Sequence, residues 1–320
     1  PSFTGNVGIG TSSPSATLTL ESATDASIDI VATNGSTQDA FIRLEGAASG
    51  TAYIGIDDSE GLLKFNNTSG LSAVNHLVID SSGNVGVGVT PESAWHSSLT
   101  ALQLGGNASI SAQTTQGSSK QAYFSQNLYN DGDQKYISTD EASEYRQQNG
   151  THTFRVAPSG SADSAINWTT AMIIDNAGIV RKTYQPAFSL SKTSDQTIPS
   201  DTETTVSFQT EVFDANSDCT SGVFTAPVDG IYAFHFQVRL NVPNRSANYI
   251  DVRIITSGRP FKTIKDFGGL SNSVYESMEN TIITQMDAGD TATPRMYVSS
   301  GTQVVSSDAT RTHFSGYLLG

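Results

Sequence analysis

The sequence has one cysteine, Cys219, so no intrachain disulfide can form and the fold is not a disulfide scaffold. A lone thiol without a visible activating histidine reads as a structural residue. Charge is also scarce: 15% of the 320 residues are charged, against roughly 25% in ordinary soluble domains. Ser, Thr, Asn, Gln and 28 glycines fill the gap. Basic residues are fewest, 17 against 31 acidic, for a net charge of −14. That balance excludes a general nucleic-acid binder, because phosphate neutralisation needs a basic face. No apolar run approaches the roughly 18 residues of a membrane helix. The start, "PSFTGNV", lacks the basic region and apolar block of a signal peptide. The chain begins at Pro1, either after removal of an initiator Met or as a fragment of a longer chain. An uncharged, Ser/Thr-rich surface without a secretion signal fits a particle assembled inside a cell and then released.

Helical periodicity is missing too: no segment of ten or more residues repeats apolar positions at i, i+3, i+4, i+7. Short alternating runs take its place, among them "ATLTLES", "AFIRLEG", "AYIGIDD", "LLKFNN", "HLVID", "TFRVAP" and "IYAFHFQVRL". Gly, Asn, Asp and Ser clusters separate them, which reads as all-β. Asn149-Gly150 supplies the two positive-φ positions of a tight hairpin turn. Ser138 and Glu141 fit a capping box, so one helical turn there is a competing reading.

The chain repeats itself loosely. "LVIDSSGNVGVGVTP" (Leu77 to Pro91) parallels "MIIDNAGIVRKTYQP" (Met172 to Pro186), and "GNVGIGTSSP" at Gly5 is the second half of the same unit. The spacing is too irregular for a solenoid; it suggests modules in series closed by one connector. Within "NVGIG" as a strand, Val7 and Ile9 face one way and Gly8 and Gly10 the other. Glycine weakens a strand, so a close neighbour is required. The expectation is a trimer waist, where Gly8, Gly10, Gly86 and Gly88 let three chains wrap tightly. A flexible turn in a monomer is the alternative. A phosphate-cradling loop is excluded by the spacing and by Pro14 and Pro91, which stand where a helix would begin.

The texture changes after "RKTYQP". In "GVFTAPVDGIYAFHFQVRL", Tyr232, Phe234 and Phe236 alternate on one face, as a sandwich core needs. With Phe224 and Gly230 they resemble the C1q/TNF-like family's pattern of Phe, then Gly-x-Tyr-x-Phe-x-Phe. "PAFS" (Pro186 to Ser189), "DAGD" (Asp287 to Asp290) and "HFSGYLLG" (His313 to Gly320) resemble its first strand, a late turn and its closing strand. The family expects an aromatic seven positions before Phe224, where this chain has Ser217, so that loop is rebuilt. The resemblance implies a ten-stranded jelly-roll head that forms a compact trimer and serves recognition. Its core would hold Phe224, Tyr232, Phe234, Phe236, Phe314 and Tyr317. Upstream, "GNVGIGTSSP", "KYISTDEASEYRQQNGTHTF" and "AMIIDNAG" resemble modules of bacteriophage tail fibres.

Few constellations point to chemistry. Asp131, Asp133, Asp140, Glu141 and Glu144 could pair for glycoside hydrolysis, but they fall on expected turns and read as solvated carboxylates. The five histidines lack metal-ligand spacing; His235 and His313 fall on strands that the resemblance places in one sheet. Arg239, Arg245, Arg253, Arg259, Lys262 and Lys265 fall within 27 residues, with Asp251 and Asp266 the only nearby acids. Arg245, Arg259, Lys262 and Lys265 are therefore the candidate receptor-binding residues, suited to phosphates or acidic sugars. The alternative is that strand alternation scatters them.

Taken together, an all-β chain is expected, with intertwined trimeric stem modules over 1–82 and 83–184 and a C1q/TNF-like jelly-roll head over 185–320. The resemblances imply a non-enzymatic homotrimeric phage tail fibre, or its distal part. It would bind other tail or baseplate proteins and a host surface glycan, with no cofactor, metal, nucleic acid or membrane insertion. It would be made in the host cytoplasm and act on the virion outside the cell. A tailspike-type depolymerase and a bacterial C1q-like adhesin are the alternatives.

Overall fold

The computed structural model describes residues 5–33, 38–46, 50–67, 70–71, 75–268 and 275–320. Every regular element among them is a β-strand. The chain divides into two compact units, Pro1–Arg181 and Lys182–Gly320.

In the first unit, a short parallel pair, Val7–Ile9 with Leu18–Leu20, precedes one twelve-stranded sheet. Its strands are laid down nearly in chain order, from Ala40–Glu45 at one edge to Val180–Lys182 at the other. The boundary expected between residues 82 and 83 lies in the turn joining Leu77–Ile79 to Val85–Val87, and the sheet runs through it. That turn recurs. Asp80 accepts from the amides of Ser82, Gly83 and Asn84, and Asp175 from those of Ala177, Gly178 and Ile179. In each, the Asp amide bonds back to the residue four positions on. Asn149 and Gly150 both take positive φ and turn the hairpin from Asp140–Gln148 into Thr151–Gly160. The helical turn considered at Ser138 does not form. The Ser138 hydroxyl and amide bond Asn127 Oδ1 instead, and the following residues join the sheet.

The two faces of this sheet differ, and register shows how. One cross-strand ladder runs Ala40, Ile56, Leu63, Ile79, Val85, Leu102, Ile110, Phe124, Tyr145, Phe154, Met172. A second on the same face runs Ile42, Ile54, Phe65, Leu77, Val87, Leu104, Ala108, Gln126, Ser143, Val156, Thr169. All members of both ladders are partly or fully exposed, with Phe124 at 55% and Val156 at 48%. The opposite face is the more polar and is buried along the middle strands, while Phe41, Arg43 and Glu45 on the edge strand are exposed. It carries Lys64, Asn84, Gln103, Ser109, Ser125 and Glu144, together with Leu99, Ala101 and Tyr123. The chain's own connections cover it with Trp95, Leu128, Tyr129, Tyr136 and Ile166.

The charged groups on that face are paired, as burial demands, while Ser125 Oγ and Trp95 Nε1 are buried without a hydrogen-bond partner. Lys64 Nζ lies 2.8 Å from Asp57 Oδ2 and 2.6 Å from Glu60 Oε2. Glu144 receives Arg155 Nε at 2.8 Å and Gln134 Nε2 at 2.7 Å, and Trp168 Nε1 donates to Gln134 Oε1 at 2.7 Å.

Gly8 and Gly86 of the repeated connector have close neighbours within their own chain. A Cβ on Gly86 would collide with the Val89 carbonyl and come within 2.8 Å of Pro91 Cδ. On Gly8 it would lie 2.5 Å from the Thr11 carbonyl. The close neighbour is the connector's own next turn, folded back over the strand. Gly10 and Gly88 take positive φ inside that turn.

The second unit is a sandwich of two sheets. In the first sheet, Gly230–Asn241 pairs with His313–Leu318, Gln303–Val305 and Tyr275–Met286, and Ala187–Ser191 lies beyond His313–Leu318. In the second, Ile250–Thr256 lies between Arg259–Lys265 and Thr291–Val298. This is the all-β two-sheet sandwich that the resemblance implies.

Candidate functional site

The second unit's apolar interior follows from the period of two along its central strand. Tyr232, Phe234, Phe236, Val238 and Leu240 point inward and are buried against Ile250, Val252 and Ile254 of the other sheet. Phe224 and Phe314 join them, with the Phe224 and Phe234 rings 5.4 Å apart at a steep angle. Gly316 sits where a Cβ would meet Phe188 Cε1 at 2.9 Å, so its missing side chain makes room for two rings. Tyr317 is a correction: it was expected in the core and is 52% exposed. It stands three positions from Phe314, and in a strand an odd separation puts two residues on opposite faces.

Tyr317 instead builds the outer face of that sheet. It pairs with Ala233, which pairs with Ile283, and Ile231 lies two positions before Ala233. Ile231, Ile283 and Tyr317 are 48%, 66% and 52% exposed, a compact apolar patch. Further along the same face, the His235 and His313 rings lie 5.1 Å apart, and His235 Nδ1 is 2.8 Å from Thr281 Oγ1. Burial, with His235 beside it, holds the His313 imidazole below its ordinary pKa. Beyond them the face turns polar. Arg239 bonds Asp308 at 2.7 Å, and its guanidinium lies 3.7 Å from the centre of the Tyr275 ring.

The basic residues singled out from the sequence do not form one patch. On the strand Arg259–Lys265, Arg259 and Lys265 project from one face and Lys262 from the other. Lys265 is paired with Glu276 at 3.3 Å and lies over the Phe267 ring. Arg259 lies over the Phe261 ring, and both Arg259 and Lys262 are exposed. Arg245 is half-buried in the segment before Ile250–Thr256. Arg253 is consumed by Asp251, at 2.5 Å and 2.6 Å, and by Glu203. In cross-strand register, Lys262, Arg253 and Arg295 form a row of like charges, which is unfavourable alone. Glu203 relieves it by binding both Arg253 and Arg295. Burial pushes the Glu203 carboxyl up, and the two guanidiniums more than offset that, holding it below the usual carboxylate range. Beside the row, the Tyr249 and Tyr297 rings stack at 5.7 Å, and Tyr297 Oη donates to Asp201 at 2.8 Å.

The acidic cluster does not converge either. Asp131 is bound to Lys135, Glu144 lies on the covered sheet face with Arg155, and Asp140 accepts from the Glu141 amide. Among the described residues, no three His, Cys, Asp or Glu gather as metal ligands would. The Cys219 thiol is pushed up to about 12, first by burial and then by the carboxylates near it. The rebuilt loop at Ser217 is a polar turn: Ser217 takes positive φ, and the Asp214 carboxylate accepts the amides of Asp218 and Cys219.

Comparison with known proteins bears on the second unit. No curated protein matches the chain. Among solved structures, the globular domain of zebrafish complement 1qA protein is similar at 20% identity, covering 42% of this chain and 98% of that one, TM-score 0.32. Murine APRIL at pH 8.5 is 16% identical over 42% of this chain and 99% of its own, TM-score 0.33. Eiger TNF from S. frugiperda is 9% identical over 42% and 94%, TM-score 0.34. The C1q domain family model matches residues 187–319.

Proposed function

We propose that this chain is the homotrimeric receptor-recognition part of a bacteriophage tail fibre, its first unit a stem and its C1q domain a head that binds a host surface glycan. The observation that carries the reading is a C1q domain following a β-sheet unit whose apolar face lies open in the single chain. C1q/TNF domains commonly form homotrimers and are typically non-enzymatic binding domains. Three heads would meet on the outer face bearing Ile231, Ile283 and Tyr317. Receptor contact would fall on the edge strand Arg259–Lys265, where an extended ligand reaches Arg259 from one face and Lys262 from the other. Three modest sites on one assembly, and several fibres on one virion, raise avidity without new contacts.

The test is binding of the purified chain to envelope polysaccharide from candidate hosts, with a reducing-end assay in parallel. Salt-sensitive binding without new reducing ends is expected, weakened by Arg259→Ala with Lys262→Ala. Release of reducing ends would favour a depolymerase, and unchanged binding by the double variant would remove these two residues from the site.

A further inference from the structure

The apolar face of the first unit has no counterpart in an ordinary single-layer design. A sheet with one wet side normally turns polar residues to water and apolar ones to the core. Here the chain spends its long connections covering the more polar face and leaves the two apolar ladders bare. We infer that this face is buried against the same face of two further copies of the chain, the three sheets closing around a common axis as the walls of one prism. The inference rests on the homotrimeric reading above and names the surface by which the first unit assembles.

Three features select identical copies as the occupant. The first is charge: neither ladder contains Asp, Glu, Lys or Arg, so the face offers nothing to steer or hold a partner of complementary charge. The second is extent. Eleven strands at about 4.8 Å spacing make the ladders about 50 Å long, and two ladders with their side chains are about 14 Å wide. That is on the order of 700 Å² per chain, or about 350 Å² toward each of two neighbours, so a pairwise contact alone falls short of the roughly 800 Å² per partner of stable interfaces and the strip is buried to a useful extent only when all three copies close together. Such a long strip is matched along its whole length by itself under cyclic symmetry. The third is bulk. Phe124, Tyr145 and Phe154 stand in one row, with the Tyr145 and Phe154 rings 4.9 Å apart, beside Gln126, Ser143 and Val156 of the second ladder. Raised and recessed rows side by side are matched by an identical copy set in the same direction. The threefold count follows from the C1q domain on the same chain.

The test uses the full chain with one new thiol. Cys219 is buried, and that burial raises its thiol pKa, so it stays silent to thiol reagents. Ile110→Cys places a thiol mid-ladder, where the lone chain leaves Ile110 43% exposed. Ser161→Cys places one on an exposed connection as the reference. At three times the 33.8 kDa chain mass, the Ile110→Cys thiol is expected to react at least about tenfold more slowly than the Ser161→Cys thiol, because only local opening exposes it. A short bismaleimide added during refolding should join Ile110→Cys copies into covalent dimers and leave Ser161→Cys copies single. Trimeric mass with a freely reactive, uncrosslinked Ile110→Cys thiol would overturn the assignment of this face and leave the trimeric reading standing. A monomeric mass would overturn both.

Discussion

Replacing Lys64 with Met tests whether the covered polar face is held by its ion pairs. Lys64 is 1% exposed and Asp57 0%, so Lys64→Met keeps the stem of the side chain and strands a carboxylate away from water. Only Ser59 Oγ, at 2.6 Å, remains as an identified side-chain donor to it. Breaking a buried pair this way costs about 3–5 kcal/mol, whereas replacing both partners by apolar groups is close to neutral. The double variant Lys64→Met, Asp57→Leu should therefore recover most of the loss. The readout is selective: both tryptophans, Trp95 and Trp168, lie in the first unit, so their fluorescence follows that unit alone during denaturant unfolding at fixed protomer concentration. The pH dependence has a definite sign. In the native chain, burial pushes Asp57 up but Lys64 outweighs it, so its pKa is lowered. Its contribution is then complete above the unfolded carboxyl value and lost as pH falls through the folded one. In Lys64→Met the stranded carboxyl is raised, so the penalty should shrink on acidification. A single variant within about 1 kcal/mol of the native chain, or a double variant as unstable as the single, would refute the reasoning.

Two other predictions follow from single positions. Gly86→Ala should lower first-unit stability by more than about 1 kcal/mol, since its Cβ would strike the Val89 carbonyl, whereas Gly5→Ala meets nothing within 4 Å and should be silent in the same fluorescence melt. His313, with its pKa lowered in the folded head, contributes stability above the unfolded histidine value of about 6.5 that is lost as pH falls through the folded value; near-UV circular dichroism should show the head weakening on acidification, and His313→Gln should flatten that slope.

Much of the head was legible because its signal is local. An aromatic at every second position from Tyr232 to Phe236 fixes both the strand and the face it buries. Parity also exposes the misreading of Tyr317, which is aromatic like the core residues but lies on the opposite face of its strand from Phe314. The basic cluster failed for a different reason. Its neutralising partners Glu203, Glu276 and Asp308 come from other strands and loops, outside the compact stretch that made the cluster look uncompensated. The glycine connector is legible as a close approach, and within the chain the approaching groups are the Thr11 carbonyl at Gly8 and the Val89 carbonyl at Gly86. Pro91 and Val89, a few residues downstream, were the available clue. Which face of the first sheet lies open could not be read from alternation at all. Alternation gives two faces; the long connections decide which is covered, and their path is a tertiary fact.

That decision also explains why the covered face is polar. Lys64 with Asp57 and Glu60, and Glu144 with Arg155 and Gln134, are satisfied only when strands meet at one register. A slip of one residue would carry Lys64 and Glu144 to the apolar face and strand their partners. Apolar ladders alone would discriminate poorly, because Val, Ile and Leu replace one another at little cost when a strand shifts by two. The buried pairs thus act as register pins on one side of the sheet, leaving the other side mostly apolar and free of charge along both ladders. A face so prepared is costly in water and inexpensive against its own copies. In this reading, strand register is set inside each chain before assembly, and assembly then buries what folding left exposed.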